Sequence, residues 1–296
     1  TAGARGTDGP FSFDRAELAG ARAASGPKRP PAPPVRGPLP ATGGTGGPHA
    51  VALADLVTFV RHPARSFLRR AVGLRFPDAD DGPGDTIPVE PDGLRRWAIG
   101  DRLLRDRLAG VDLATCQEAE WRRGELPPGA LGRRMLAEVV EDVEVLVGLA
   151  EELRGGRAPG AVDVDLAVDL AAAVDPVRDP ALDRGMDPAL GARVVGTVGG
   201  IQDGPATADG PSAGRIARVE FSRLAPKHRL RAWVELLAVT LARPERAWRA
   251  VTIGRGTVSS LVRATLGPVP PQRAAEELAM VVALFLGGRR EALPLV

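Results

Sequence analysis

The sequence predicts an α/β fold of the α+β kind, with a helical region leading into a core ordered α-β-β-β-α-β. Three observations predict it. Apolar residues recur at helical spacing from Val51 to about Leu153. After Gly155-Gly156 the period drops to two, with Val162, Val164, Leu166, Val168 and Leu170 alternating with Asp163, Asp165, Ala167 and Asp169. A helical stretch, Pro226 to Leu241, then stands between two short β-branched runs. Hydrophobic residues make up 44% of the 296, enough for a sizeable core, while 36 Gly and 28 Pro point to long loops.

In order along the chain, Arg15 to Ala24 reads as a helix that Ser12 or Asp14 can cap. Residues 25–49 are Gly/Pro-rich. The run Pro30-Pro31-Ala32-Pro33-Pro34 cannot be helical, because each ring removes an N–H, so the segment is a linker or strap. Leu53, Leu56, Val57 and Val60 mark one helix face from Val51 until Pro63 breaks it. A second helical piece carries Phe67, Leu68 and Val72, with Gly73 as its C-cap. Residues 77–92 form an acidic loop. Leu94 to Leu108 is amphipathic, with Trp97 among its core positions, and a short helix spans Leu113 to Arg122. Pro127-Pro128-Gly129 starts a long helix, Ala130 to Leu153, whose apolar set includes Leu131, Met135 and Leu136. Strands follow at Val162–Leu170, Gly191–Ile201 and Arg215–Phe221. Then come the Pro226–Leu241 helix with Leu230 and Trp233, a strand at Trp248–Ile253 and a last helix at Pro271–Leu286. The expected domains are 1–24, 25–49, 50–128 and 129–296. The chain starts at Thr1, so it is expected to be part of a longer polypeptide.

Composition excludes several functions. One cysteine, Cys116, leaves no intramolecular disulfide and no Cys-cluster metal site. Three histidines, His49, His62 and His228, leave little for zinc chemistry. There is no Tyr and aromatic content is 4%, too little for stacking many bases. No apolar run reaches the ~20 residues of a membrane span, and no signal peptide is visible. The only lysines, Lys28 and Lys227, are misplaced for a phosphate-binding P-loop. The Gly-rich stretch Gly196 to Gly200 lies inside a strand with no helix after it, unlike a dinucleotide fingerprint. No Gly-x-Ser-x-Gly elbow occurs.

The order α-β-β-β-α-β resembles that of the PD-(D/E)XK metal nucleases. They place an Asp on one strand and [Asp/Glu]-x-Lys on the next, where period two puts carboxylate and lysine on one face to hold Mg²⁺ and orient water. Here Glu220 stands at the carboxylate and Ser222 at the lysine. Gly199 falls at the Asp, and Leu136 stands where the preceding helix often carries His or Glu. One carboxylate holds a hard divalent ion poorly. The resemblance implies an inactive restriction-endonuclease-like core, with Leu136, Gly199, Glu220 and Ser222 as its degenerate positions.

Five segments also resemble the C-terminal region of the RecC family, the gamma subunits of RecBCD exodeoxyribonuclease V complexes. They are Pro10-Phe11-Ser12-Phe13-Asp14, Arg61 to Leu68, Asp92 to Trp97, Gly124-Glu125-Leu126-Pro127 and Leu230 to Glu235, in the family's order. The resemblance implies a non-catalytic scaffold and DNA-handling domain in a cytoplasmic helicase-nuclease that processes double-strand breaks for recombination. RecB-like and RecD-like subunits would be its partners in a heterotrimer. They would bind the ATP and Mg²⁺, leaving this chain with no cofactor. Segments 25–49 and 77–92 depart from the family.

Two basic clusters stand apart from that resemblance. Arg61, Arg65 and Arg69, with Arg70 beside them, share a helical face at i, i+4, i+8. Lys227, His228, Arg229 and Arg231 crowd a helix start, where positive charge opposes the macrodipole. Each cluster is either a phosphate contact or a solvated face paired with local acids. Two further functions stay open: an active Mg²⁺-dependent nuclease with a migrated site drawn from Asp163, Asp165, Asp169 and Asp203, and a plain protein-interaction domain.

Overall fold

A computed structural model describes residues 14–27, 39, 49–71, 73, 92–173, 191–203, 213–256, 260–290 and 293. Of the two departing segments, 25–49 is therefore described only at 25–27, 39 and 49, and 77–92 only at Asp92. The chain divides into two units, Thr1–Pro38 and Leu39–Val296.

In the first unit the described element is α1, Arg15–Ser25. Asp14 caps it by accepting from the backbone N–H of Ala16 at 2.7 Å and of Glu17 at 3.3 Å. No residue of α1 is buried.

The second unit is built on one mixed sheet. Its strands are β1 (His49–Ala52), β2 (Gly160–Val168), β3 (Ala192–Asp203), β4 (Gly214–Arg223), β5 (Trp248–Arg255) and β6 (Leu261–Leu266). β3 pairs antiparallel with β2 along nearly its whole length. On its other edge it pairs parallel with β1 and then antiparallel with β4. β4 and β5 run parallel, and β6 closes the order antiparallel to β5. The helices are α2 (Leu53–Arg61), α3 (Pro63–Ala71), α4 (Gly93–Leu108), α5 (Leu113–Arg122), α6 (Gly129–Arg154), α7 (Pro226–Ala242) and α8 (Pro271–Gly288), with a 3₁₀ turn at Leu170–Ala173.

Strand alternation sorts the core into two layers. Ile216, Trp248 and Ala250 join Val162, Val164 and Val194 under α2, α7 and α8. Phe221, Val251 and Ile253 face the other way, onto Ile99, Leu103, Leu136, Val139 and Val143 of α4 and α6. β5 is thus buried on both faces from Ala250 to Gly254, with β4 parallel on one edge and β6 antiparallel on the other. Two glycines make this packing possible. A Cβ on Gly214 would lie 2.3 Å from the Trp248 ring, and one on Gly100 would lie 2.0 Å from the Phe221 ring. Arg102 ties α4 to α5 by forking the buried Glu120 at 2.9 and 2.7 Å, which holds its guanidinium well above the usual arginine range.

Every helix and strand expected from the periodicity between 50 and 290 is present, with ends shifted by a few residues. β1 and β6 are additions. The residues from Val51 read as a helix start, but His49–Ala52 adds to the β3 edge before α2 begins. Pro63 does not only break α2; it opens α3 as the first helical residue, where no N–H is needed. Three apolar positions expected in the core are exposed. Leu131 is 56% exposed because the first turn of α6 turns the neighbouring Gly132, not Leu131, onto Trp121 and Pro127. Leu230 is 42% exposed although Val234 and Leu237, at i+4 and i+7 on the same face, are buried; it stands near the start of α7. Trp97, 40% exposed, shares a stripe with Leu104, but that stripe's first turn opens on a cleft.

Gly200 is the backbone pivot of β3. The register with β2 slips at Gly160/Ala161, and Gly200 is left at φ +73° as the bulged residue. Its missing Cβ also matters, because that atom would lie 2.5 Å from the Ala217 carbonyl oxygen of β4. Gly200→Ala is therefore expected to destabilise the chain by about 1–3 kcal/mol. Urea titration against Gly199→Ala, whose Cβ would meet nothing within 4 Å, checks it.

Candidate functional site

Where β3 and β4 diverge, α4, the end of α6, the end of α2 and the start of α7 enclose a cleft of about 550 Å³. Its charge is dominated by arginine. Arg61, Arg105, Arg154, Arg218 and Arg231 line it against the carboxylates of Asp101 and Glu220.

The local sequence explains how β4 meets α7. Arg218 and Glu220 alternate on β4 and share one face. Arg231 and Glu235 lie at i, i+4 on α7. Arg218 forks the carboxylate of Glu235, with Nε and one terminal nitrogen each at 3.0 Å. Arg231 Nε donates to the same carboxylate at 3.1 Å, and another Arg231 nitrogen lies 3.5 Å from Glu220. The result is a chain of alternating charge, Arg218–Glu235–Arg231–Glu220, in which Glu235 is buried. Glu220 therefore faces a guanidinium.

The four positions taken from the nuclease comparison scatter. Glu220 lines the cleft. Ser222, one alternation further on, accepts a hydrogen bond from Trp97 Nε1 at 2.8 Å, which fixes the indole at the cleft mouth. Leu136 is buried in the α4–α6 core. Gly199 is half-buried on β3, but its neighbours Gly200 and Gln202 are the β3 residues that line the cleft. The other strand carboxylates are engaged elsewhere. Asp163 accepts from Thr197 Oγ1 at 2.8 Å, Asp165 is forked by Arg193, Asp169 accepts from Ala171 N–H at 2.9 Å, and Asp203 pairs with Arg246 at 2.8 Å. Among the described residues no three His, Cys, Asp or Glu side chains come together as a metal-holding group.

The two basic clusters meet in space. His62, between α2 and α3, feels Arg61, Arg65 and Lys227; His228 feels Lys227 and Arg61. Arg61 and Arg231 turn into the cleft, while Arg65, Arg69 and Arg229 are exposed and Lys227 is half-buried. His228 Nδ1 accepts the Ala225 N–H at 3.0 Å, a helix-start bond that ties its ring down. Both imidazoles are held below their ordinary value of 6.5, by burial first and by those cations after it, with Glu220 opposing at His228. The lowered folded value sets the sign. Below 6.5 the unfolded chain takes up protons that the folded chain refuses, so stability falls as pH drops through that window. Urea midpoints between pH 7 and 5 are expected to decline, and less so in His228→Gln; equal slopes for both proteins would contradict this.

Periodicity alone does not mark Arg105, Arg154, Arg218, Trp97 or Gln202 as cleft residues. On α4 and α6 an inward arginine and a solvated one look alike. The available signal was the pairing of Arg-x-Glu on a strand with Arg-x-x-x-Glu on the next helix, which interlock only when the two elements pack.

Comparison with known proteins identifies the family. The profile of the RecC C-terminal domain matches residues 48–296. The chain is 37% identical over 287 residues to the RecBCD enzyme subunit RecC of Mycobacterium tuberculosis, covering 97% of this chain and 23% of that protein. It is 36% identical over 300 residues to the subunit of the same name from Mycolicibacterium smegmatis, covering 99% of this chain and 24% of that protein. With the Escherichia coli subunit, identity is 30% over 121 residues, 40% of this chain and 10% of that protein. The chain thus spans about a quarter of the length of its mycobacterial relatives. With a family match over most of the chain and mycobacterial identity from end to end, this chain belongs to the RecC C-terminal domain family.

Proposed function

We propose that this chain is a non-catalytic scaffold and DNA-handling domain of a RecC-like subunit. In this reading a cytoplasmic RecBCD-like helicase-nuclease holds it in a heterotrimer with RecB-like and RecD-like subunits. Those partners bind ATP and Mg²⁺, and this chain needs no cofactor. The complex processes double-strand breaks for recombination. The relatives' names support the setting.

One observation carries the non-catalytic half. The carboxylate at the [Asp/Glu]-x-Lys position, Glu220, faces Arg231 at 3.5 Å, and the position two residues on is Ser222, held by Trp97. A carboxylate already facing a guanidinium is a poor ligand for a hard cation, and a serine hydroxyl supplies no positive charge to orient water. The DNA-handling half draws on the arginine-lined cleft and on the cations that surround His62.

The assembly is tested by mixing the chain with RecB-like and RecD-like subunits from the same source and following size-exclusion elution. A stable co-eluting complex is expected. A chain that stays apart from both partners contradicts the scaffold role.

A further inference from the structure

We infer that the free edge of β6, with the groove between β6 and the end of α6, docks an extended segment of a partner protein. The segment adds to the sheet as a further strand and sets an acidic residue opposite Arg263.

Three observations carry it. First, β6 offers a row of unused main-chain groups. It ends the strand order, and among the described residues no strand pairs with its outer edge. Register decides which groups face out. Ile253 pairs with Arg263 and Arg255 with Leu261; one step on, the Gly256 N–H donates to the Ser260 carbonyl at 2.6 Å. Hydrogen-bonded pairs alternate along an antiparallel ladder, so Val262, Ala264 and Leu266 bond inward to β5. Leu261, Arg263 and Thr265 therefore turn their N–H and C=O to the open edge. Second, an apolar groove of about 430 Å³ runs beside that edge. Leu149 and Leu153 of α6, Ile253 of β5, and Leu261 and Val262 of β6 line it. Leu261 and Val262 are 40% and 37% exposed, and Val145, one turn before Leu149 on α6, is 49% exposed. Such apolar surface beside an open edge is a liability in a chain that works alone.

Third, charge selects the occupant. Arg263 and Glu152 also line the groove, and neither side chain has an ion-pair partner among the described residues. A second copy of this chain, pairing along the full edge, would set Arg263 opposite Arg263, and like charges directly opposite disfavour pairing. A helix laid in the groove would leave the outward N–H and C=O groups of β6 unpaired beneath it. A foreign strand with a carboxylate opposite Arg263 answers the backbone, the groove and the charge together.

The test uses the full chain and a fluorescein-labelled, end-capped heptapeptide, Thr-Val-Thr-Glu-Thr-Val-Thr, in anisotropy titrations. Extended, the peptide sets its valines and glutamate on one face, toward the groove. Saturable binding is expected, with slowed hydrogen exchange at the Leu261, Arg263 and Thr265 amides. Val262 and Ala264, already bonded to β5, are expected to change little. N-methylating the glutamate, whose N–H faces β6, is expected to weaken binding about tenfold. N-methylating the next threonine, whose N–H faces away, is expected to leave binding as it was, and neither peptide depends on a variant folding. A peptide with lysine for glutamate is expected to bind the parent about fivefold more weakly and Arg263→Glu more tightly than the glutamate peptide does. Thr265→Pro removes an outward N–H without touching the β5 ladder and is expected to lose about tenfold in affinity. The proposal is overturned if the parent binds no peptide, if the two N-methylated peptides bind alike, or if lysine and glutamate peptides bind the parent equally. A dimer of the chain in sedimentation that Thr265→Pro abolishes would overturn it too, since the occupant would then be a second copy. None of these outcomes touches the scaffold role, which the co-elution experiment decides separately.

Discussion

Replacing Glu235 by alanine is expected to destabilise the chain by about 3–5 kcal/mol, the range for removing one partner of a buried ion pair. The loss comes less from the missing attraction than from what is left behind. Arg218 has a side chain only 20% exposed, and among the described residues Glu235 is the carboxylate it pairs with. Arg231 keeps Glu220, at the longer distance of 3.5 Å. Alanine also leaves space that water or a shifted arginine must fill, so β4 and α7 should loosen together. Glu235→Gln keeps two polar atoms for the fork and should cost less. Urea unfolding of both variants decides it: alanine far below glutamine is expected, and two equal, small losses would show that the chain of charges is only solvated decoration.

Phe221→Ala is expected to cost about 3–5 kcal/mol, the range for emptying a large buried aromatic site. Phe221 is fully buried, stacks on the Cα of Gly100 and lies 4.7 Å beneath the Arg255 guanidinium. Its neighbours Glu220 and Ser222 turn to Arg231 and to Trp97, so this ring sets how β4 sits on α4 beside the cleft. The reverse change, Gly100→Ala, normally stabilises a helix by about 1 kcal/mol. Here the new methyl group meets the ring at 2.0 Å, and overpacking by about 1–3 kcal/mol should reverse the sign. Combining Gly100→Ala with Phe221→Leu should recover part of the loss, so the two changes are expected to be non-additive. Strict additivity would mean that ring and glycine do not meet.

Most of the fold was legible because its central elements carry strong periodicity. β5 buries most of its side chains, α8 carries a buried stripe from Ala274 to Leu286, and α6 repeats its apolar face for seven turns. The edge strands were not. β1 has one buried residue in four, and β6 has none, so neither writes an alternating pattern; each exists because a neighbouring strand offers an unpaired edge. Trp97 shows a different limit. Its spacing is that of a core residue, and only the tertiary position of Ser222, 125 residues away, turns it toward a cleft.

The site was legible in part. Glu220, Arg61 and Arg231 were singled out and do line one cleft. That the two basic clusters converge follows from α2 packing on α7, which no local pattern encodes. On β3 the bulge at Gly200 shifts the strand's facing, so Gly200 and Gln202 line the cleft and Gly199, the position the nuclease comparison picks out, does not. A bulge leaves little trace beyond a glycine, and this strand has three.

We propose that this family member keeps a cleft but no hydrolytic centre, because its carboxylate at the nuclease position faces an arginine. Incubating the chain with end-labelled single- and double-stranded DNA at millimolar Mg²⁺ or Mn²⁺, and resolving the products on a denaturing gel, tests it most directly. Uncut DNA from both the parent and Glu220→Gln is the predicted result. Metal-dependent cleavage by the parent that disappears in Glu220→Gln would contradict it.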